Sequence, residues 1–108
     1  MRAQSILDPA ENPNALEAFV KIFTGDPGSA PDTFMHEVSQ PMLVVWGDTD
    51  PMTPMDAGYG RYFTQELYSS RADTQLKVVN AGHCPQDDGP AAREVNRAVI
   101  AWLATLKK

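Results

Sequence analysis

A single cysteine, Cys84, stands in the 108 residues, so no disulfide can form within the chain and a disulfide-stapled fold is excluded. A lone thiol fits a reducing compartment, and a soluble intracellular protein is the expectation. Basic side chains are scarce as well: 9 Lys and Arg stand against 14 Asp and Glu, for a net charge of -5. With no basic stripe anywhere, the sequence argues against binding to nucleic acid or to an anionic membrane. No run approaches the roughly 20 apolar residues of a spanning helix, and Met1 to Pro9 lacks the apolar stretch of a signal peptide. Repeats and low-complexity tracts are absent. Large apolar side chains are not scarce, because 43% of the residues are hydrophobic and 21% charged, which excludes a disordered chain. At about 150 residues per domain the length allows one small core.

The apolar residues that are present have clear periods. Leu16, Phe19, Val20 and Phe23 recur at helical spacing and predict a helix from Asn12 to Phe23, capped by Asn12 with Pro13 in its first turn. A loop over 24–31 follows, and then a short helix from Asp32 to about Val38. Met42-Leu43-Val44-Val45-Trp46 is a continuous apolar run of strand length, expected to be buried on both faces as in a parallel sheet. Beyond a polar turn, Thr53 and Pro54 read as the start of a helix from Met55 to about Tyr68, weakened by Gly58 and Gly60. Gln75 to Asn80 predicts a second strand. Pro90 to about Leu106 is the strongest helical pattern, with Asp87 and Asp88 at its start and Lys107-Lys108 suited to its negative end. The order is that of an α/β fold, in which one β-α-β unit makes two parallel, adjacent strands.

Parallel neighbours end on the same side of a sheet, and functional groups gather beyond those carboxyl ends. Gly47 to Pro54 carries Asp48 and Asp50 there, and Ala81 to Gly89 carries His83. With strands about 4.8 Å apart, a hydrogen bond from His83 to either carboxylate is within reach. Such a pair is the orienting half of a nucleophilic triad, since the carboxylate fixes the imidazole tautomer and stabilises the imidazolium. Asp48 is the alternative acid, and as a turn residue it is also suited to bonding its own backbone. The blander roles are a semi-buried thiol for Cys84, core or pocket filling for Met35, Met52 and Met55, and a solvated position for His36. The Cys84 thiol, adjacent to His83 in the chain, cannot easily face it as a nucleophile. His83, Cys84, Asp87 and Asp88 match no familiar metal-ligand spacing.

Pro41-Met42-Leu43-Val44-Val45-Trp46-Gly47-Asp48-Thr49-Asp50-Pro51, followed by Asn80-Ala81-Gly82-His83-Cys84-Pro85-Gln86-Asp87-Asp88, resembles the last two strands of an α/β-hydrolase. The Gly-His-Cys-Pro-Gln-Asp segment is especially similar to plant, algal and cyanobacterial hydrolases related to pheophytinase, which would also allow a plastid location. The resemblance implies that Asp50 is the triad acid and His83 the base. It implies that residues 41–108 hold the last two core strands with their helices, and that residues 1–40 end a helical cap. Phe19, Phe23 and Met52 become candidate walls of a substrate pocket. A small ester or acyl compound is the implied substrate, with no metal or organic cofactor.

The chemistry of that family also needs a serine on a Gly-x-Ser-x-Gly elbow and an upstream oxyanion hole. Ser5, Ser29, Ser39, Ser69 and Ser70 have no such flanks. The expectation is therefore the C-terminal portion of a fold of about 200 residues or more, inactive by itself. The rival reading is a non-catalytic α/β interaction module, because a two-strand sheet leaves the edge of Met42 to Trp46 open to self-association.

Overall fold

The computed structural model describes residues 8–106, which divide at Phe34 into two compact units. The expected role of Lys107-Lys108 lies outside the described residues, as do Ser5 and most of the first nine positions.

The first unit is dominated by helix α1, Ala15–Thr24. It begins later than the apolar pattern suggests because the Asn12 side chain accepts the Asn14 N–H at 2.9 Å and closes a turn of its own, short of the helix. Glu17 and Lys21 pair at 3.1 Å along its surface, and the Gly25 N–H closes its end on the Lys21 carbonyl. The apolar stripe is present but stands open, with Leu16 75% and Phe23 71% exposed. The short helix expected over 32–38 is instead two tight turns, Pro31–Thr33 and Met35–Glu37, one on either side of the unit boundary.

In the second unit, strands β1, Met42–Gly47, and β2, Thr74–Val79, pair in parallel from Met42↔Thr74 to Gly47↔Val79. β1 is less deeply buried than its apolar run suggests: Val44 and Gly47 are buried, whereas Leu43, Val45 and Trp46 are half-buried. A sheet of two strands simply has too little area on each face to cover them. Alternation along the strand still sorts the side chains. Val45 joins the core of Val79, Ala81, Ala91 and Val95 beneath helix α3, Gly89–Thr105. Trp46, on the opposite face, stacks on Phe63 of the crossover helix with ring centroids 6.1 Å apart.

That crossover helix, α2, starts at Gly58 rather than Met55. It runs as Gly58–Arg61, widens to a π-helix over Tyr62–Leu67, and closes as Tyr68–Ser70. Gly60 lies against the turn before the helix so tightly that a Cβ there would come within 1.9 Å of the Pro54 carbonyl oxygen. The Thr64 hydroxyl donates to the Gly60 carbonyl at 2.7 Å, inside the widened turn. Arg71, at the far end of α2, fastens the segment that leads into β1. Its guanidinium donates to the carbonyls of Val38 and Gln40, and its Nε to the Thr74 hydroxyl at 3.0 Å. Among the described residues no helix is long and apolar enough to cross a membrane.

Candidate functional site

The carboxyl ends of β1 and β2 deliver two loops side by side, and a short ladder continues beyond the strands to hold them. Asp48 N–H donates to the Val79 carbonyl at 2.9 Å, and Thr49 N–H to the Ala81 carbonyl at 3.1 Å. The Thr49 hydroxyl donates to that same oxygen at 2.9 Å. The approach is close because residue 47 is glycine: a Cβ there would lie 2.1 Å from the Gly82 carbonyl oxygen.

This scaffold sets His83 Nδ1 2.8 Å from Asp50 Oδ2. The Asp50 side chain is 4% exposed and that of His83 43%, so the carboxylate sits behind the ring, away from solvent. Asp50 Oδ1 accepts the N–H groups of Met52 at 2.9 Å and Thr53 at 3.0 Å, while Oδ2 accepts the Thr53 hydroxyl at 2.8 Å. Burial pushes the Asp50 carboxyl up, but the Thr53 N–H, His83, the Thr53 hydroxyl and the Met52 N–H outweigh it and hold the group well below the usual carboxylate range. Asp50 is thus a fixed anion. With Nδ1 engaged by Asp50, Nε2 is the ring nitrogen with no hydrogen-bond partner among the described residues. An imidazole held this way can take a proton at Nε2 while its charge is balanced behind it.

Asp48 is not part of this contact. It is exposed, and the bonding of turn backbone expected of it is carried out by Asp50. Thr53 does not cap α2 either, since Ala57 occupies that position; its hydroxyl and N–H are spent on Asp50, and its carbonyl accepts the Trp46 indole N–H at 3.0 Å. The spacing Asp50-x-x-Thr53 was the available signal, because an aspartate readily accepts backbone N–H groups two and three residues on. Cys84 is exposed rather than semi-buried, since the tight turn Pro85–Asp87 buries Pro85 and leaves the thiol outside. Asp88 precedes α3 without a side-chain capping bond; its backbone carbonyl accepts the Ala92 N–H instead.

Met52 is 69% exposed beside the acid, so it fills no core gap. Phe19 and Phe23 lie in the first unit, with ring centroids 4.7 Å apart on the open face of α1. Among the described residues no three His, Cys, Asp or Glu side chains are grouped to hold a metal ion.

An acid and a base held together beyond adjacent parallel strands, with a helix crossing between them, match the end of an α/β-hydrolase core, and the relatives to which this chain is similar belong to the α/β-hydrolase superfamily. These relatives are 2-hydroxy-6-oxononadienedioate/2-hydroxy-6-oxononatrienedioate hydrolases. The protein of that name from Klebsiella pneumoniae is 34% identical over 92 residues, covering 82% of this chain and 29% of the relative. Those of Pseudomonas putida and Burkholderia vietnamiensis are 33% and 34% identical over 91 residues, with the same coverage. The chain therefore spans less than a third of the length of these relatives, and it matches their C-terminal part. The narrower likeness to pheophytinase-related hydrolases gains no support from them. No protein-family profile matches the chain, and no solved structure matches it.

Proposed function

We propose that this chain supplies the acid, Asp50, and the base, His83, of a Ser-Asp-His triad for hydrolysis of a small ester or acyl substrate. The observation that carries the reading is the 2.8 Å contact between His83 Nδ1 and a carboxylate that four donors hold ionised. His83 Nε2 would take the proton of a serine supplied from outside this sequence, and the acyl-enzyme would be released by water activated at the same nitrogen. Asp48 leaves the acid role to Asp50. Met52, in the turn after the acid, is a proposed substrate contact, as are Phe19 and Phe23 from residues 1–40, proposed as the end of a cap. No Gly-x-Ser-x-Gly stretch occurs in the chain, so by itself it is inactive.

The test is a chimera in which the upstream part of the Klebsiella relative precedes this chain. It should hydrolyse nitrophenyl esters or the dienedioate named for that relative, and His83→Ala and Asp50→Ala should each remove the activity. Turnover by the chain alone that disappears in His83→Ala would contradict the reading.

A second reading has one structural feature in its favour. Among the described residues β1 is paired only on its β2 side, which leaves its other edge able to add a strand from a second copy. Sedimentation that stays monomeric at all concentrations would remove it.

A further inference from the structure

Thr53 meets the acid through two separate groups. Its backbone N–H donates to Asp50 Oδ1 at 3.0 Å and its hydroxyl to Asp50 Oδ2 at 2.8 Å, so one residue brackets both oxygens of the carboxylate. The same hydroxyl oxygen lies 3.4 Å from His83 Nδ1, at the far rim of the acid–base contact. Rotation of the carboxylate about its last bond would break both Thr53 bonds together. Thr53 is itself fixed from behind, because the Trp46 indole N–H holds its carbonyl at 3.0 Å and Phe63 stacks on that indole.

We infer that Thr53 is a positioning residue for the proposed triad: by bracketing the carboxylate it fixes the plane in which Oδ2 accepts the hydrogen bond from His83 Nδ1–H. The inference rests on the Asp50–His83 reading above and adds a residue to it. Its physical content concerns the tautomer. A neutral imidazole free in water favours the proton on Nε2, which is the wrong form for a base that must accept there. A carboxylate oxygen held in the ring plane, accepting from Nδ1–H, reverses that preference. Two backbone N–H groups on Oδ1 anchor one oxygen, and the Thr53 hydroxyl anchors the oxygen that matters. A valine at this position keeps the size and the backbone N–H but loses the second anchor.

The test uses the chain alone and needs no turnover. Ring nitrogens of His83 are observed by correlation with its carbon-bound protons at about pH 9, where an ordinary imidazole is neutral. His36, whose side chain is 71% exposed, serves as the internal reference for a ring in water. In the wild type, His83 Nδ1 should resonate as a protonated nitrogen. In Thr53→Val it should move downfield towards the unprotonated position of His36, and Thr53→Ser should restore the wild-type value. Asp50→Ala separates the two claims. If Asp50→Ala moves Nδ1 while a folded Thr53→Val does not, the role of Thr53 is overturned and the acid–base pair stands. If neither variant moves it, the pair itself is overturned. Should Thr53→Val unfold, Thr53→Ser decides: loss of the Nδ1 proton there overturns the inference, because the bracketing hydroxyl is still present.

Discussion

Both donors of Thr49 end on one atom, the carbonyl oxygen of Ala81: the N–H at 3.1 Å and the hydroxyl at 2.9 Å. The turn that carries Asp50 is thereby tied to the loop that carries His83. Thr49→Val removes the hydroxyl but leaves the N–H, so the Ala81 carbonyl keeps a partner and the loss should be about 1 kcal/mol. Urea unfolding measures that cost. Amide exchange over 81–84 should quicken in the variant, and an unchanged exchange rate would remove the tether from the account.

Gly47→Ala should be more damaging. The added Cβ would meet the Gly82 carbonyl oxygen at 2.1 Å and that of Ala81 at 2.5 Å, both backbone atoms that cannot swing aside. The two loops must part, at a cost of about 2 kcal/mol or more. The same movement takes His83 from Asp50, so the Nδ1 proton should be lost along with stability. A variant with wild-type melting temperature and a wild-type His83 spectrum would contradict the close packing of Gly47 against the Ala81 and Gly82 carbonyls.

Acid should expose the contribution of Asp50. Its carboxyl lies below the ordinary range in the folded chain, whereas the unfolded chain has an ordinary aspartate near about 3.9. The unfolded state therefore takes up the proton first as pH falls. The stabilisation is fully present above about pH 5 and is lost progressively as the pH drops through and below the unfolded value. Melting temperatures of wild type and Asp50→Asn should differ at neutral pH and converge in acid. A gap that is constant down to about pH 2 would contradict a lowered Asp50 carboxyl in the folded chain.

Arg71 should resist replacement by lysine. Its guanidinium reaches the carbonyls of Val38 and Gln40 with two nitrogens while Nε bonds Thr74, and a single ammonium group cannot reproduce that fork. Arg71→Lys should cost about 1–3 kcal/mol and loosen the segment 35–40. Denaturant unfolding and limited proteolysis within that segment would show it.

Sequence pattern reached the site more securely than it reached the surrounding elements. The run Met42 to Trp46 and the segment around Val78 and Val79 lie in the expected strands, and strand polarity alone put Asp50 and His83 at one end of the sheet. What it missed were local competitions. Asn12 forms its own turn rather than capping a helix, and Thr53 serves a carboxylate rather than the helix that follows it. In both cases one polar side chain had two nearby backbone or side-chain partners, and periodicity says nothing about which will win. The π-helix at Tyr62–Leu67 is equally out of reach, because one wider turn within a helix leaves no mark on apolar spacing over so few residues. β1 is less buried than its apolar run suggests because such a run reports what a strand requires, and only neighbouring chain can provide it.

The register of the sheet also has a kinetic side. Met42 meets Thr74 and Gly47 meets Val79, so every rung joins residues separated by the whole crossover, and Asp50 and His83 are 33 residues apart. No rung can form cheaply ahead of the others, since each requires the same loop to close before any bond offsets its entropy. Local segments such as α3 can form early, whereas the meeting of acid and base must wait for that closure. Until then the most apolar strand of the chain has no partner, and the time spent in that state sets its exposure to aggregation.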